Sequence, residues 1–231
     1  MPAGHPLLSV VMPVYNERAT IDEIVRRVMA AGVPLQLIVV DDVSTDGTWE
    51  RLVTLQRDLG FTLVRQSRQR GKGAAVRRGF EQVTGDLVLI QDADLEYAPE
   101  EYPRLIEPIV QGRSDVVYGS RLLGDHKGFL PANYVANRLF TFLTNVLYRA
   151  SLTDMATCYK MMRTDVLRSL TLQSERFDLD FEITAKVLRT RCRICEVPVS
   201  YRGRSYKQGK KITWRDAIAG IWVLLKYRVR E

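Results

Sequence analysis

Two aspartates that follow a short apolar segment are the residues of this sequence best suited to chemistry. Asp92 and Asp94 come directly after residues 87–91, and only Ala93 separates them. Carboxylates spaced i, i+2 at the end of a buried strand repel each other unless a positive group lies beside them. Magnesium in proteins is commonly held by one or two carboxylates together with the phosphates of a substrate. The pair is therefore a candidate metal site, although a turn or a helix cap uses the same residue types.

Two further polar clusters follow apolar segments nearer the amino terminus. Tyr15-Asn16-Glu17 follows the first segment, where a tyrosine ring can lie against a base or ribose and its neighbours can form hydrogen bonds. Asp41-Asp42 follows the second, at the position where doubly wound sheets contact the polar edge of a nucleotide. Each cluster also suits an ordinary turn. Because all three clusters fall at the carboxyl ends of predicted strands, they predict one site.

The elements that must position these clusters alternate regularly along the first half of the chain. Apolar segments predict strands over residues 7–13, 35–40, 61–65, 87–91 and 116–120. Helical spacing of apolar residues predicts helices over residues 21–32, 49–59, 74–83 and 99–110, the first of them capped by Thr20. This order predicts an α/β fold with a doubly wound, mostly parallel sheet flanked by helices.

The second half of the chain is less regular. Helical spacing predicts helices over residues 134–148 and 214–227, the second capped by Thr213, and an apolar segment predicts a strand over residues 197–201. Neither an internal repeat nor a low-complexity linker interrupts the sequence. We therefore expect a single domain over residues 1–231.

Positive charge is concentrated at the carboxyl end of the chain. The formal net charge is +7, but residues 186–231 hold 13 Lys and Arg against three Asp and Glu, a net +10. The remainder is mildly acidic, at −3. A basic segment of this kind favours an anionic partner, whether phosphates, a membrane surface or nucleic acid, although a solvated basic face has the same composition.

Composition narrows the class of protein. The longest apolar segments, residues 139–148 and 217–225, are shorter than the ~20 residues that span a bilayer. The first predicted strand begins within ten residues of Met1, so we expect no signal peptide and a cytoplasmic location. Three cysteines do not suggest a disulfide scaffold. Cys192 and Cys195 form C-x-x-C without a second pair, so cysteines in or beside a strand are the simpler interpretation.

Several blocks of the sequence together resemble a known family. In the first half these blocks are residues 10–17, 39–48 (VVDDVSTDGT), 71–79 (GKGAAVRRG), 85–99 (GDLVLIQDADLEYAP) and 119–121. In the second half they are residues 153–163 (TDMATCYKMMR), 177–186 and 196–211. They resemble family 2 glycosyltransferases of the GT-A fold, in particular the dolichol- or polyprenyl-phosphate mannose and glucose synthases. The resemblance implies a nucleotide-sugar-binding half over about residues 1–120 and an acceptor-binding half over about residues 121–231, with the basic carboxyl-terminal helix.

The resemblance also implies roles for individual residues. The ligands of Mg²⁺ or Mn²⁺ would be Asp92, Asp94 and Glu96. The acceptor phosphate would be bound by Arg121, Arg204 and Lys210. The donor site is expected to comprise Pro13, Tyr15, Asn16, Glu17, Val40, Asp42, Lys72, Asp92, Ala93 and Asp94. The residues expected to be catalytic are Asp94, Arg121 and Arg204.

The implied reaction is an inverting transfer of a hexose from a nucleotide diphosphate sugar, GDP-mannose or UDP-glucose, to a polyprenyl or dolichyl phosphate. A phosphate acceptor, with a second pKa of about 6, is largely ionised at neutral pH and needs no general base. A sugar or glycan hydroxyl would need a carboxylate base, and Asp180 and Glu182 lie where many hydroxyl-using relatives keep theirs. That acceptor therefore stays an alternative, although both residues also suit the start of a helix.

A nucleic-acid-binding module is a further alternative that the basic carboxyl end suggests. The sequence disfavours it and predicts no nucleic-acid partner, because the aromatic residues do not alternate with basic ones as a stacking platform would.

Two amphipathic segments suit a peripheral contact with the cytoplasmic face of a membrane. Helices that pack into a core have the same pattern. The residues expected to face the headgroups are Arg138, Phe140, Phe142, Leu143, Leu147 and Arg149 in the first segment and Lys211, Trp214, Arg215, Trp222, Leu224 and Lys226 in the second.

Overall fold

The computed structural model describes residues 6–190, 192–204 and 214–229. In chain order the strands of this part are β1 (Leu8–Val14), β2 (Leu35–Asp41), β3 (Thr62–Arg65), β4 (Leu87–Ile90), β5 (Val116–Ser120), β6 (His126–Lys127), β7 (Lys160–Arg163), β8 (Ile194–Pro198) and β9 (Tyr201–Arg202). The α-helices are α1 (Ile21–Met29), α2 (Thr48–Leu59), α3 (Lys72–Phe80), α4 (Tyr102–Val110), α5 (Pro131–Tyr148), α6 (Thr164–Ser169), α7 (Leu179–Arg189) and α8 (Trp214–Val229). A 3₁₀ turn at Pro99–Glu101 precedes α4.

Seven strands form one sheet in the order β3-β2-β1-β4-β7-β5-β8. β1 is parallel to β2 and β4, β2 to β3, and β5 to β8, whereas β7 is antiparallel to both of its neighbours. β1 and β4 are almost entirely buried and rich in Val, Leu and Ile, as expected for strands covered on both faces. The predicted α/β fold, a doubly wound and mostly parallel sheet flanked by helices in one domain, is confirmed.

The chain reverses its direction across the sheet beside β1. It runs from β1 to β2 and β3 on one side, then returns to place β4 on the other side of β1. Sheets of this kind bind ligands in the crevice at the carboxyl ends of the strands where this reversal occurs. Tyr15 follows the end of β1 and Asp92 follows the end of β4, so the topology brings two of the polar clusters to this crevice.

A glycine brings α3 unusually close to the sheet. A Cβ atom at Gly79 would lie 2.3 Å from Cγ1 of Val11, closer than atoms of a packed core approach, and 3.4 Å from Cγ2 of Val40. Val11 and Val40 fill the space that a side chain at position 79 would need. The close packing fixes α3 against β1 and β2, and thereby fixes Lys72 at its first turn.

The structure differs from the predicted elements mainly in the second half. β6, β7 and α6 were not predicted, and β7 lacks a predictive pattern because Lys160, which is fully buried, begins it. The strand predicted over residues 197–201 is wrong in its bounds: β8 ends at Pro198 and β9 begins at Tyr201. Pro198 has no N–H to continue the ladder.

The two predicted helix caps have different outcomes. Thr20 precedes α1 but makes no side-chain cap hydrogen bond, because its hydroxyl donates to Glu17 instead. Thr213 lies outside the described residues.

Three non-glycine residues with positive φ follow strands that end at the crevice. Asn16 (φ 51°) follows β1, Val43 (φ 63°) follows β2, and Leu95 (φ 61°) follows β4. A β-branched residue such as Val43 is a genuine outlier in this left-handed region. A strained residue of this kind persists only where the surrounding structure holds the backbone in place. Strained residues are common at functional sites.

We expect Val43→Gly to stabilise the protein. Relief of the left-handed strain should raise the free energy of unfolding by about 1–2 kcal/mol. The greater freedom of glycine in the unfolded chain should lower it by about 0.5–1 kcal/mol. The net gain of about 1 kcal/mol corresponds to a rise in Tm of about 2–4 °C, measurable by calorimetry. Val53→Gly, the same exchange inside α2, should lower Tm. An unchanged or lower Tm for Val43→Gly would contradict the strain argument.

Candidate active site

A cleft of about 1070 Å³ opens beside the ends of β1 and β4 and takes its walls from both halves of the chain. The structure brings most of the predicted site residues into its lining. These are Pro13, Tyr15, Glu17, Asp42, Lys72, Asp92, Ala93, Asp94, Glu96, Arg121 and Arg204. Asn16 and Val40 do not line the cleft, and Lys210 lies outside the described residues.

Asn16 holds the wall of the cleft together. Its Oδ1 accepts a hydrogen bond from the Thr45 N–H (2.8 Å), and its own N–H donates to Ser44 Oγ (2.9 Å). These two bonds fasten the turn after β2 to the turn after β1. Val40 is fully buried beneath α3. Direct contact of either residue with a nucleoside stays a prediction.

Asp42 fastens the loop before α3 to the end of β2. Its carboxylate accepts hydrogen bonds from Gln66 Nε2 (2.7 Å) and from the backbone N–H groups of Arg70 (2.8 Å) and Gly71 (2.7 Å). Burial raises the pKa of the Asp42 carboxyl, while these hydrogen bonds act in the opposite direction. The loop therefore has a fixed shape where it forms one edge of the cleft.

Asp92 lies in a chain of alternating charges. Lys72 Nζ is 2.9 Å from the Asp92 carboxylate and 3.6 Å from that of Asp180, and Lys160 Nζ is 3.5 Å from Asp180 on the other side. Burial on its own would raise the pKa of Asp180, but Lys72 and then Lys160 outweigh it and hold that pKa below its ordinary value. Asp180 thus lines the cleft as an ionised group shared by two lysines.

Asp94 and Glu17 are joined by Arg204, which follows β9 and lies 187 residues after Glu17 in the sequence. Arg204 donates to both carboxylate oxygens of Glu17 (2.9 and 3.2 Å) and, through Nη2, to Asp94 (3.1 Å). Its Nε is buried and has no hydrogen-bond partner among the residues that the structure describes. A buried donor beside the strand ends suits an anionic ligand such as a phosphate.

Glu96 uses both carboxylate oxygens within the protein. One accepts a hydrogen bond from the Tyr201 hydroxyl (2.7 Å) and the other from the Arg204 N–H (2.7 Å). Glu96 therefore anchors the segment after β9 to the end of β4. Its role as a metal ligand stays a prediction.

The two aspartates fit a hard divalent cation. They supply carboxylate oxygens, the ligands that Mg²⁺ and Mn²⁺ prefer. Burial, followed by the charges of Asp92 and Glu96, raises the pKa of Asp94 to about 7, a sign of negative charge that a cation would relieve. Within the described ranges no three His, Cys, Asp or Glu side chains converge as a metal cluster. A pair of carboxylates completed by substrate phosphates is nevertheless a usual Mg²⁺ arrangement.

Arg121 is held rigidly in the lining of the cleft. Its Nε and Nη2 donate to the two carboxylate oxygens of Asp154 (2.7 and 2.8 Å), and its guanidinium lies over the rings of Phe129 and Tyr201 at 5.2 and 5.1 Å. Burial raises the pKa of Asp154, but Arg121 outweighs burial and holds it below its ordinary value. The fork is therefore fixed in direction while one edge of the guanidinium stays directed away from Asp154.

The second candidate base, Glu182, lies away from the cleft. It is fully buried and accepts hydrogen bonds from the backbone N–H groups of Gln173 and Ser174. Lys186, one turn further along α7, donates to the same carboxylate (2.5 Å). Glu182 fixes the loop before α7 to its first turn, as the helix-start alternative expects.

Sequence reasoning missed two residues that position this site. Asp154 binds Arg121, and Glu196 of β8 accepts hydrogen bonds from the N–H groups of Thr153 (2.7 Å) and Asp154 (3.0 Å). Asp154 lies in a block that carries the family resemblance, but its partner is 33 residues away. Nothing in the spacing links the two, so only the fold identifies the pair.

Comparison with known proteins identifies the family to which the chain is similar. Residues 9–171 match the model of Glycosyl transferase family 2. A dolichol-phosphate mannosyltransferase of Pyrococcus furiosus is 33% identical over 95% of this chain and 64% of its own length. An undecaprenyl-phosphate 4-deoxy-4-formamido-L-arabinose transferase of Pseudomonas paraeruginosa is 46% identical over 46% of this chain and 33% of its own length.

Solved structures show the same architecture. Glucosyl-3-phosphoglycerate synthase of Mycobacterium tuberculosis, in complex with Mn²⁺, UDP and glucosyl-3-phosphoglycerate, superposes with a TM-score of 0.75 at 21% identity. The superposition covers 97% of this chain and 80% of the synthase. The sheet order together with this likeness defines a GT-A fold.

Because the family model matches more than half of its residues, the chain belongs to glycosyl transferase family 2. It spans less than two thirds of the length of both curated relatives named above.

We expect Asp154→Ala to destabilise the protein strongly. The variant leaves the Arg121 guanidinium buried without its counter-ion, which costs about 3–5 kcal/mol. The free energy of unfolding, measured in urea, should fall by that amount. Asp58→Ala, which removes an exposed carboxylate on α2, should change it by less than about 0.5 kcal/mol. A similar small effect for both variants would show that the pair contributes little.

Proposed function

We propose that this chain is a metal-dependent inverting transferase that moves a hexose from a nucleotide diphosphate sugar, GDP-mannose or UDP-glucose, to a polyprenyl phosphate. One observation carries the proposal: a single cleft holds both the carboxylates Asp92 and Asp94 and the arginines Arg121 and Arg204. The first pair suits a metal with the donor diphosphate, and the second suits phosphate oxygens. The names of both curated relatives, which refer to dolichol phosphate and undecaprenyl phosphate, support this acceptor.

The donor would lie along the ends of β1, β2 and β4. Tyr15 and Pro13 line the cleft on the β1 side, where a nucleoside has a ring and a fixed wall to pack against. Asp92 and Asp94 would hold Mg²⁺ or Mn²⁺, which supplies Lewis-acid neutralisation of the departing diphosphate. Lys72, fixed beside Asp92 by Asp180, adds a second positive charge near the same oxygens.

The acceptor phosphate would be bound by Arg121 and by Arg204, which lies beside Asp94. Arg121 is pre-oriented by Asp154, so binding a phosphate requires little further ordering of its side chain. Arg204 offers its buried Nε together with the N–H groups that now contact Glu17 and Asp94. Lys210, outside the described residues, is proposed to act with them.

The chemistry follows from this placement. An oxygen of the acceptor phosphate attacks the anomeric carbon while the bond from that carbon to the donor phosphate breaks. Attack from the face opposite the leaving group converts an α-linked donor into a β-linked product. Because the acceptor is already ionised near neutral pH, no proton is transferred in this step. The residues of the chain bind, orient and neutralise rather than act as a base.

The state of Asp180 disfavours a hydroxyl acceptor. A general base works best with a pKa near the operating pH. The two lysines lower the pKa of Asp180, and Glu182 lies outside the cleft. Neither of the two predicted bases is therefore suited to deprotonating a sugar hydroxyl, whereas a phosphate acceptor needs no base.

We expect turnover of GDP-mannose or UDP-glucose with polyprenyl phosphate to depend on Mg²⁺ or Mn²⁺. EDTA should abolish turnover, and either ion should restore it. Asp94→Ala should lower kcat/KM by about 100-fold or more, because it removes charge stabilisation of the leaving group. The measurement is release of nucleoside diphosphate and formation of glycolipid, with Asp58→Ala as the control that keeps activity.

Three results would contradict parts of the proposal. Full activity in EDTA would exclude the metal. Transfer to a sugar hydroxyl but never to the lipid phosphate would establish the alternative acceptor. Tight binding of nucleic acid at physiological salt, without nucleotide-sugar turnover, would show that the chain is a nucleic-acid-binding module and not a transferase.

We also propose that the chain contacts the membrane that holds the acceptor. The exposed faces of α5 and α8 support this contact. Each helix carries four outward apolar residues at spacing i, i+4, i+7 and i+11, which we call the outer stripe. Its members are Val135, Leu139, Phe142 and Val146 of α5 and Ile218, Trp222, Leu225 and Val229 of α8. Exposed apolar surface of this extent marks a contact surface on a folded protein.

Two hydrogen bonds join the helices that carry the outer stripe. The Tyr148 hydroxyl donates to the Leu224 carbonyl (2.7 Å), and Arg228 Nε donates to the Leu147 carbonyl (2.6 Å). Basic side chains flank the stripe at Arg138 and Arg149, which are exposed. Apolar residues beside basic ones favour the interface of an anionic bilayer.

The members of the predicted membrane face change with the structure. Phe142 and Trp222, each 66% exposed, face outward as expected. Phe140 and Leu224 are buried, and Leu143 and Leu147 are partly buried against the core, so these four belong to packing. The side chains of Lys211, Trp214 and Arg215 lie outside the described residues. In the described ranges no helix has the length and apolarity that crossing a bilayer requires.

We expect the double variant Phe142→Asp, Trp222→Asp to bind anionic phospholipid vesicles at least about tenfold more weakly than the wild type. Burial of each aromatic side chain contributes about 1.5–3 kcal/mol, which the aspartates remove. Val110→Asp makes the same kind of exchange at an exposed position of α4 and should not weaken binding. Equal vesicle binding by the double variant would contradict the membrane contact, and a concentration-dependent dimer in sedimentation would assign the stripe to a second copy.

A further inference from the structure

The side of α5 that lines the cleft carries carboxamides. Asn133 and Asn137 line the cleft together with Ala132, Ala136 and Phe140. The large aliphatic residues of this part of the helix are exposed and belong to the outer stripe, whereas Phe140 is buried. A helix that packs on an apolar core has the reverse arrangement. The space in front of α5 therefore suits a polar occupant, and the alanines leave room for it.

The two carboxamides are not used to hold the fold. Neither side chain has a hydrogen-bond partner among the residues that the structure describes. Asn145 of the same helix provides the contrast, because its amide donates to the Leu152 carbonyl (2.8 Å) and accepts from the Leu152 N–H (2.9 Å). Asn133 and Asn137 thus each offer N–H donors and a carbonyl acceptor to whatever enters the cleft.

Aromatic contacts at the two ends of this wall place it between Arg121 and α7. Phe129, just before α5, packs against Tyr201 (4.7 Å between ring centroids), and Phe140 packs against Phe181 of α7 (5.1 Å). The wall therefore extends from the side of Arg121, whose guanidinium lies over Phe129, to the side of α7. At that end Lys72 links Asp180 of α7 to Asp92.

We propose that Asn133 and Asn137 bind hydroxyl groups of the hexose that is transferred, and so select which hexose the protein accepts. The proposal rests on the proposed function, since a sugar attached to the diphosphate must extend away from the nucleoside. Residues one helical turn apart have Cβ atoms about 5–6 Å apart, so both amides can reach one sugar ring. A site built to bind a hydroxyl discriminates against a sugar that lacks it, because its own polar groups are left unpaired.

Single variants test whether the amides act on the sugar. Asn133→Ala and Asn137→Ala should each lower kcat/KM for the nucleotide sugar by about 3- to 10-fold, the loss of one or two neutral hydrogen bonds. Affinity for the free nucleoside diphosphate, measured by calorimetry, should stay at the wild-type value, as should Tm. Gln56→Ala removes an exposed carboxamide on α2 and should change none of these quantities.

Deoxy donors identify the hydroxyl that each amide binds. In the wild type, a donor whose hexose lacks a contacted hydroxyl should react about 3- to 10-fold more slowly. In the matching alanine variant that same deoxy donor should carry no further penalty, because the contact is already gone. A loss of folding or of nucleotide binding would lower the rates of all donors alike.

The outcomes separate this inference from the proposed function. A wild type that turns over no nucleotide sugar would overturn both. A wild type that turns over nucleotide sugars, with alanine variants that show unchanged kcat/KM or the same deoxy penalties, would overturn only the role of the two asparagines. Variants that change the KM of the acceptor but not of the donor would also overturn it.

Discussion

The structure depends on a balance of charge at the ends of β1 and β4. Glu17, Asp92 and Asp94 are carboxylates at the edge of a buried sheet, and each is matched by a cation from another segment. Lys72 comes from the start of α3, whereas Arg204 comes from a position 187 residues after Glu17. Groups of this kind are costly to bury unless they are paired, so the pairing draws both halves of the chain around one cleft.

Several buried ion pairs follow from the same constraint. Arg121 with Asp154, and Lys160 with Asp180, contribute less to stability than apolar residues of similar volume often would. Their use lies in direction: each fixes a charged side chain along the wall of the cleft. The left-handed backbone at Val43 is a comparable cost beside the same strand ends. The protein is less stable than it could be at positions that must orient ligands, as is usual for binding sites.

α5 connects the proposed membrane surface with the cleft. Its outward side contributes to the outer stripe, and its inward side presents Asn133 and Asn137 to the cleft. The acceptor phosphate is proposed to meet Arg121, next to Phe129 at the beginning of this helix. A lipid phosphate that approaches along α5 and α8 would thus enter the cleft from the proposed membrane side while the nucleotide occupies the other end.

The sequence by itself determined five of the seven strands of the main sheet, β1 to β5, and the class of the protein. Apolar segments that alternate with helical segments predict these strands. A buried strand must be apolar, and that pattern can be read from neighbouring residues of the sequence. It also placed Asp92 and Asp94 at a strand end, and the family resemblance supplied their proposed roles. It did not predict β7, whose buried Lys160 is acceptable only because Thr157 and Asp180 surround it in space.

Only the tertiary structure decided which residues act together. Local spacing cannot reveal that Asp154 binds Arg121 or that Arg204 joins Glu17 to Asp94, because these partners are distant in sequence. It also assigned Phe140 to packing and Phe142 to the surface, a distinction of two residues on one helix. The physical reason is the same in each case. Ion pairing and burial depend on which element packs alongside, and the sequence pattern of one helix or strand does not reveal that element.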